Sequence, residues 1–260
     1  MTKLEKLKAD LRGLGELAVA FSGGADSSLL LRAAHDALGE RAIGITIRSP
    51  YMSSREIAEA VEFARSYGIR HEILELGIAE GIKDNPEKRC YLCKKAVFSR
   101  LIERARELGF SRVADGTNRD DLGEHRPGLK AKEELGVLSP LINLTKAEIR
   151  ELSRELSLPT AEKPGYACLL TRLPHGREIE LSELNLIEAA ENLLIASGYA
   201  NVRARCDRKN IKLQMPFSSM GDFLNDAKFK SVVRQLVTLG AAEVTLDLKG
   251  LREDVLHERG

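Results

Sequence analysis

Apolar residues in the first 160 positions alternate between helical spacing and short continuous runs. Leu4, Leu7, Leu11 and Leu14 recur at helical spacing, and an apolar run follows at residues 17–21. The same alternation predicts helices at 4–14, 29–38, 53–66, 91–108 and from 145 to Pro159, and strands at 17–21, 42–47, 71–76 and 112–114. Strands separated by helices of about 10–20 residues predict an α/β fold with a parallel sheet covered on both faces.

Two helix starts carry the spacing of a capping box, in which a serine or threonine is followed three positions later by glutamate. Ser53 with Glu56 is one such pair, and Thr145 with Glu148 is the other. Each pair predicts that the serine or threonine side chain accepts a hydrogen bond from a backbone amide at the amino end of its helix.

Proline and glycine cluster between residues 159 and 176, which predicts a domain boundary there. Beyond it the pattern indicates helices at 181–197 and 228–239 and strands at 201–205, 211–215 and 243–248. This order is typical of a small α+β domain. The sequence therefore predicts an α/β domain over residues 1–165 and a substrate-binding or oligomerisation domain over 176–260.

The composition is typical of a globular protein and does not indicate a particular function. The 260 residues are 43% hydrophobic and 30% charged, which is typical of a globular chain, and 40 basic residues against 39 acidic give a net charge of +1. That balance argues against binding nucleic acid through bulk charge. No apolar run approaches the roughly 20 residues of a membrane span, and the first residues do not resemble a signal peptide. Four cysteines are too few for a disulfide scaffold, so we expect a reducing, cytoplasmic location.

The strongest local signal is a glycine loop between the first strand and the second helix. Two adjacent glycines free the backbone amides, and the helix that follows adds unpaired N–H groups and a partial positive charge. The loop predicts a cradle for a polyphosphate, although an ordinary serine-capped turn is the alternative. It lacks the ending of a Walker loop and the spacing of a dinucleotide loop. Its residues are Ser22, Gly23, Gly24, Ala25, Asp26, Ser27 and Ser28.

The cysteines form one close pair, Cys90 and Cys93, with Cys168 and Cys206 standing alone. A CxxC pair can be a redox dithiol, half of a zinc site, part of an iron–sulfur site, or two incidental buried residues. Zinc is disfavoured because its sites usually show two close pairs.

The glycine loop resembles the SGGxDS signature of the PP-loop ATP pyrophosphatases, a superfamily that cleaves ATP between the α- and β-phosphates and adenylates its substrate. The resemblance implies ATP as cofactor, with Mg²⁺ neutralising the pyrophosphate held by the loop. It also implies that adenine lies near the ends of the first two strands, at Ala20, Phe21, Ile47 and Arg48.

Three further sequence segments point to one family within this superfamily. They are residues 85–94, residues 115–121 followed by 126–128, and residues 167–172 followed by 174–176. Their order and spacing resemble the LarE-type sulfurtransferases, over about residues 15–250. The family activates a carboxylate of a nicotinate-derived mononucleotide as an acyl adenylate, inserts sulfur to give a thiocarboxylate, and so supplies the nickel-pincer nucleotide cofactor.

The resemblance implies further site residues. Lys94, Arg126 and Arg172 would balance the negative charge of the adenylate, and Gly116, Thr117 and Asn118 would contact the nucleotide. The neighbouring acids could orient Mg²⁺ or simply form a solvated turn: Asp115, Asp120 and Asp121.

LarE-type proteins obtain sulfur in two ways. In one, a single cysteine gives up its own sulfur and becomes dehydroalanine, a role that would fall to Cys168. In the other, three cysteines hold a 4Fe–4S cluster whose fourth iron binds an extra sulfide. Because the chain has the complete set, we predict the cluster version, with Cys90, Cys93 and Cys168 as ligands and a sulfide or persulfide as donor.

The chain departs from the family pattern mainly beyond residue 170. Thr171 replaces serine and His175 replaces tyrosine, and both changes keep a polar group. Arg205 and Cys206 stand where a histidine is expected, and a final acid is missing near Gln214. Arg203 and Arg205 would share one face of a strand, as a phosphate site or a solvated face.

Three competing functions remain open at this point. A tRNA thiolase of the same superfamily lacks support from an aromatic or basic RNA-binding surface. An amidotransferase-like ligase would leave the CxxC pair without a role, and a nucleotide sensor would bind ATP without turnover. We expect a small-molecule nucleotide substrate, no membrane partner and a homo-oligomer.

Overall fold

The computed structural model describes residues 1–123 and 127–251. The chain divides into two units by its internal contacts. The first comprises residues 1–82 and 87–166, and the second comprises residues 83–86 and the chain from 167 onward. No helix in these described ranges is both long and apolar enough to cross a bilayer.

The first unit is built on a parallel sheet of four strands, which confirms the predicted α/β class. The strands are β1 (Leu17–Ala20), β2 (Ala42–Arg48), β3 (His71–Glu75) and β4 (Val113–Ala114). Their order is β3-β2-β1-β4, so the chain moves outward on one side of β1 and then returns to its other side. Such a reversal opens a crevice at the carboxyl ends of β1 and β4, the two strands between which the order changes direction.

Helices cover both faces of this sheet. Along β1, Leu17 and Val19 join one apolar cluster, whereas Ala18 joins another on the opposite face together with Leu101 and Phe110. Burial on both faces explains why the strands are continuously apolar rather than alternating. The helices of the unit are α1 (Lys3–Leu14), α2 (Ala25–Leu38), α3 (Ser54–Ser66), α4 (Arg89–Glu107), α5 (Pro127–Glu134) and α6 (Lys146–Glu155).

The helix starts test the predicted caps. Thr145 and Glu148 form the predicted box at α6, with Oγ1 of Thr145 accepting from the Glu148 amide at 3.2 Å. The prediction for Ser53 was wrong, because its side chain makes no cap hydrogen bond at α3. Helix α2 begins at Ala25 rather than 29, since the polar residues of its first turn look like a continuation of the loop. Helix α5 was not predicted.

The second unit has a mixed sheet of three strands: β5 (Arg203–Asp207), β6 (Asn210–Gln214) and β7 (Glu243–Leu246). Strand β6 pairs antiparallel with β5 and parallel with β7. The helices are α7 (Leu181–Ala196), α8 (Phe217–Asn225) and α9 (Phe229–Thr238), of which α8 was not predicted. Strand β5 starts two residues later than expected, because Asn201 adopts φ +55 in the turn before it.

Candidate functional site

The glycine loop leaves the sheet at the carboxyl end of β1, beside the end of β4. Gly23 lies at φ +70, and a Cβ there would come within 3.0 Å of the Ala60 Cβ. Both the left-handed backbone and the close approach of α3 therefore require glycine at this position. Gly24 forms the N-cap of α2, and no described side chain caps that helix. The first backbone amides of α2 therefore remain available to bind an anion.

Serine side chains form hydrogen bonds within the loop. The hydroxyls of Ser22 and Ser27 lie 3.1 Å apart, and Ser27 Oγ donates to the Gly24 carbonyl at 3.3 Å. Ser28 differs, since its side chain is fully buried and its hydroxyl has no hydrogen-bond partner among the described residues. Ser22 carries the exposed hydroxyl of the loop, whereas Ser27 is buried and forms hydrogen bonds within the loop.

Asp26, in the first turn of α2, is held by a lysine that sequence reasoning missed. Lys146 Nζ donates to both carboxylate oxygens, at 2.6 and 2.7 Å, and Asn118 Nδ2 donates to Oδ1 at 3.4 Å. The three residues come from α2, from the loop after β4 and from the start of α6. A lysine at the first position of a capped helix has no distinctive sequence signal.

The loop after β4 packs tightly against the start of α2. A Cβ on Gly116 would lie 2.9 Å from the Ser27 amide nitrogen, so glycine permits the backbones to touch. Asp115 is buried and accepts from Thr117 Oγ1 at 2.7 Å and from Ser139 Oγ at 2.9 Å. Lys132 also donates to Asp115.

The charge state of Asp115 follows from these contacts. Burial alone would raise the pKa of its carboxyl, but the Lys132 charge and the hydrogen bonds outweigh burial and lower it. Asp120 and Asp121 instead accept from backbone amides, of Lys146 at 2.8 Å and of Asn118 at 2.9 Å. These two acids therefore organise the turn, as the simpler of the two sequence interpretations expected.

A second lysine missed by the sequence analysis reaches the glycine loop from the end of the first unit. Lys163 Nζ donates to the Gly23 carbonyl at 2.9 Å and pairs with Glu59 of α3 at 2.6 Å. Its neighbours Pro164 and Gly165 had been assigned only to a domain boundary.

The expected adenine-side residues lie at the ends of β1 and β2. Phe21 is buried, and its carbonyl accepts from Thr46 Oγ1 at 2.7 Å. Ala20 and Ile47 are half-buried, whereas Arg48 is exposed and pairs with Glu75 at 2.6 Å.

The CxxC pair lies in the first two turns of α4, with its two thiols in different surroundings. Cys90 is exposed, whereas the thiol of Cys93 shares a hydrogen bond of 3.3 Å with the hydroxyl of the buried Tyr51. Burial raises the pKa of the Cys93 thiol. Lys94 is exposed, with its ammonium over the Phe98 ring at 5.3 Å.

Cys168 stands in the second unit at the start of a short 3-10 turn, Leu169–Arg172. Its carbonyl accepts from the amide and the hydroxyl of Thr171, at 3.0 and 2.9 Å. Thr171 can therefore replace the family's serine without losing this hydrogen bond. Arg172, 3% exposed, pairs with Glu191 at 2.8 and 3.2 Å, so its charge is balanced inside this unit.

A cavity of about 350 Å³ lies beside this turn within the second unit. Arg205 reaches the turn, donating to the Thr171 carbonyl at 3.0 Å and to Gln214 Oε1 at 2.6 Å. Gln214 therefore binds the arginine at the place where an acid was expected. Cys206 is buried, and burial raises the pKa of its thiol to about 11.

The predicted three-cysteine cluster receives no support from this geometry. Across residues 1–123 and 127–251, no group of three or more histidine, cysteine, aspartate or glutamate side chains forms a metal-binding arrangement. Arg126 lies outside the described residues.

Known proteins resemble the chain, two of them along nearly its whole length. It is 36% identical to an uncharacterised protein of Synechocystis, over 98% of this chain and 97% of that protein. It is 34% identical to the pyridinium-3,5-bisthiocarboxylic acid mononucleotide synthase of Lactiplantibacillus plantarum, over 99% of this chain and 94% of that enzyme. A tRNA-specific 2-thiouridylase of Rickettsia felis matches 57% of the chain at 32% identity. No protein-family model matches.

The parallel sheet with a glycine loop at its reversal point, together with the match to a 2-thiouridylase, places the chain among the nucleotide-binding enzymes of the PP-loop ATP pyrophosphatase class. Within that class the match over nearly the whole chain is decisive. The chain belongs to the LarE family of pyridinium-3,5-bisthiocarboxylic acid mononucleotide synthases, and it is an ATP-dependent sulfurtransferase.

Proposed function

We propose that the chain adenylates a carboxylate of a nicotinate-derived pyridinium mononucleotide and replaces its activated oxygen with sulfur. The observation that carries the proposal is the uncapped start of α2, with Lys146 and Lys163 anchored beside it, in a chain of the LarE family. The product would be a thiocarboxylate for nickel-pincer nucleotide synthesis.

The first step is attack of a carboxylate oxygen on the α-phosphorus of ATP, with pyrophosphate leaving. The amides of Gly24 and the first turn of α2 would bind the pyrophosphate, and Mg²⁺ would neutralise its charge. Asp26, in that first turn, is the carboxylate that we assign to Mg²⁺, which would replace the Lys146 ammonium on one of its two oxygens. In the second step a sulfur nucleophile attacks the acyl carbon, the carbon–oxygen bond to AMP breaks, and AMP leaves.

We assign sulfur delivery to Cys90, Cys93 and Cys168. Two features of the described residues support a role for the pair: both lie in the first two turns of α4, and Cys90 is exposed. An iron–sulfur cluster held by three thiolates would supply an open iron for an added sulfide. Loss of sulfur from Cys168 itself is the alternative. The position of Cys168 at the start of a 3-10 turn is compatible with it.

Anaerobic turnover separates these routes. Protein purified anaerobically is mixed with ATP, Mg²⁺, sulfide and the pyridinium dicarboxylate mononucleotide, and mass spectrometry follows both the small molecules and the protein. We expect AMP, pyrophosphate and a thiocarboxylate over several turnovers, with bound iron and an unchanged protein mass. A single turnover by iron-free protein, with Cys168 converted to dehydroalanine, would establish the alternative route. Thiolation of tRNA but not of the mononucleotide would refute the proposed acceptor.

The remaining expectations stay predictions from the sequence. They are a homo-oligomer, a sulfide or persulfide donor, and a cytoplasmic location. Arg126, proposed to bind the adenylate, is part of the same prediction.

A further inference from the structure

Three residues of the segment from Glu162 to Tyr166 contact the rest of the first unit. Glu162 pairs with Arg154 of α6 at 2.5 Å and with Arg150 at 3.0 Å. Lys163 binds the glycine loop and α3. The ring of Tyr166 stacks beneath the guanidinium of Arg55, at 4.9 Å.

Lys163 is the member of this series that touches the phosphate loop. Its side chain is 11% exposed, and its ammonium bridges the Gly23 carbonyl and the Glu59 carboxylate. Because burial of an ammonium is costly without partners, these two contacts hold the side chain in one place.

A hydrogen bond to the Gly23 carbonyl also determines where the next amide points. The carbonyl of Gly23 and the N–H of Gly24 belong to one planar peptide group. Glycine on both sides gives this peptide little conformational restraint of its own. Lys163 therefore helps to fix the direction of the Gly24 amide, which also donates to Ser22 Oγ at 3.4 Å and is one of the donors assigned to pyrophosphate.

The same segment leads directly to the proposed sulfur-bearing residue, since Cys168 follows Lys163 by five positions. We infer that Lys163 is a positioning residue that couples the phosphate loop to the chain preceding Cys168, so that bound nucleotide restrains that chain. The inference rests on the proposed function, because it requires ATP in the loop. A polyphosphate bound to the loop adds negative charge near the Lys163 ammonium. This charge strengthens the electrostatic attraction between the lysine and the loop.

Hydrogen–deuterium exchange of the peptide spanning residues 160–169 tests the coupling in the full-length, anaerobically purified protein. With saturating ATP and Mg²⁺ we expect exchange in the wild type to slow by about fivefold. Lys163→Met should lose this protection at ATP concentrations where dialysis shows the nucleotide bound, and its KM for ATP should rise more than its kcat falls. Lys163→Arg should recover part of the protection.

Two matched variants separate coupling from simple loosening. Arg154→Gln removes a contact to the same segment without touching the loop, so exchange should rise with and without ATP while the ATP effect persists. Glu59→Gln keeps the bond from Lys163 to Gly23 and should also retain the effect.

The outcomes distinguish the inference from the proposed function. Protection that persists in Lys163→Met, or ATP bound to the wild type without protection, would overturn the inference alone. Failure of the wild type to bind ATP would overturn the proposed function and the inference together. If Lys163→Met does not fold, the contrast between Lys163→Arg and Arg154→Gln decides, because only the former should weaken the ATP effect.

Discussion

Lys146 and Asp26 lie 120 residues apart in the chain, yet the lysine ammonium binds both oxygens of the aspartate. The pair joins the first turn of α2 to the first residue of α6. It places a fixed cation and a fixed carboxylate beside the amides that we assign to pyrophosphate.

Replacing Lys146 with methionine should therefore lower kcat/KM for ATP-dependent pyrophosphate release by about 100-fold, because a positioned charge is lost from the site. Lys3→Met is the matched control, since Lys3 pairs with Glu148 of the same helix at 2.6 Å on the exposed surface. Pyrophosphate release by the control should stay near the wild-type value. Equal losses in the two variants would indicate a general effect on α6.

Gly116→Ala should destabilise the first unit by about 1–3 kcal/mol and weaken ATP binding, because the new methyl group would meet the backbone of Ser27. Gly13→Ala is the control, since a Cβ there meets nothing within 4 Å. That change lies inside α1 and should stabilise by up to about 1 kcal/mol. Urea denaturation and calorimetric titration with ATP measure both effects. Unchanged stability in Gly116→Ala would contradict the observed close approach.

Arg172 and Glu191 form a buried ion pair, with side chains 3% and 10% exposed. Arg172→Met should lower the free energy of unfolding of the second unit by about 3–5 kcal/mol, because it leaves the glutamate charge buried without its partner. The double variant Arg172→Met with Glu191→Leu should recover most of the loss. A double variant as unstable as the single one would show that the arginine acts through packing instead.

Cys168 and Cys206 should differ sharply in reactivity. Burial raises the pKa of Cys206 to about 11, so almost no thiolate is present at neutral pH and alkylation of the native protein should be slow. Cys206→Ala should retain sulfur transfer, whereas Cys168→Ala should lose it and still release pyrophosphate. Peptide mapping after iodoacetamide treatment of the iron-free protein, and assays of both half-reactions, check the contrast. Loss of transfer in Cys206→Ala would assign that thiol a role we do not give it.

His71 should make stability depend on pH. Burial lowers its pKa in the folded protein, and its Nε2 lies 2.8 Å from Thr46 Oγ1. The unfolded chain therefore binds a proton first, and stability should be lost as pH falls below about 6.5, down through the lowered pKa. His71→Gln removes this dependence. Urea midpoints at several pH values compare the two proteins, and parallel curves would contradict the assignment.

Local signals in the sequence were sufficient to predict much of the first unit. Short apolar runs located its four strands, and the glycine string located the loop between β1 and α2. Helix α8 was not predicted because few of its nine residues are buried, namely Met220 and Phe223. A helix of that length depends on tertiary packing more than on its own pattern.

The candidate site was predictable only where it is continuous in sequence. Residues 22–28 and the loop after β4 were found, but Lys146 and Lys163 were not. Each of these lysines reaches the loop from more than 100 positions away, and a single lysine carries no spacing signal. The sequence left Asp120 and Asp121 open as Mg²⁺ ligands or as part of a solvated turn, and in the structure one oxygen of each accepts from a backbone amide.

The site of ATP cleavage tests the account most directly, because every proposed step depends on pyrophosphate leaving the α-phosphate. ATP labelled on its α- and γ-phosphates is incubated with the full-length protein, Mg²⁺ and the mononucleotide carboxylate, and the labelled products are separated. The account predicts AMP and pyrophosphate in equal amounts, and only when the carboxylate is present. Formation of ADP and inorganic phosphate would contradict it.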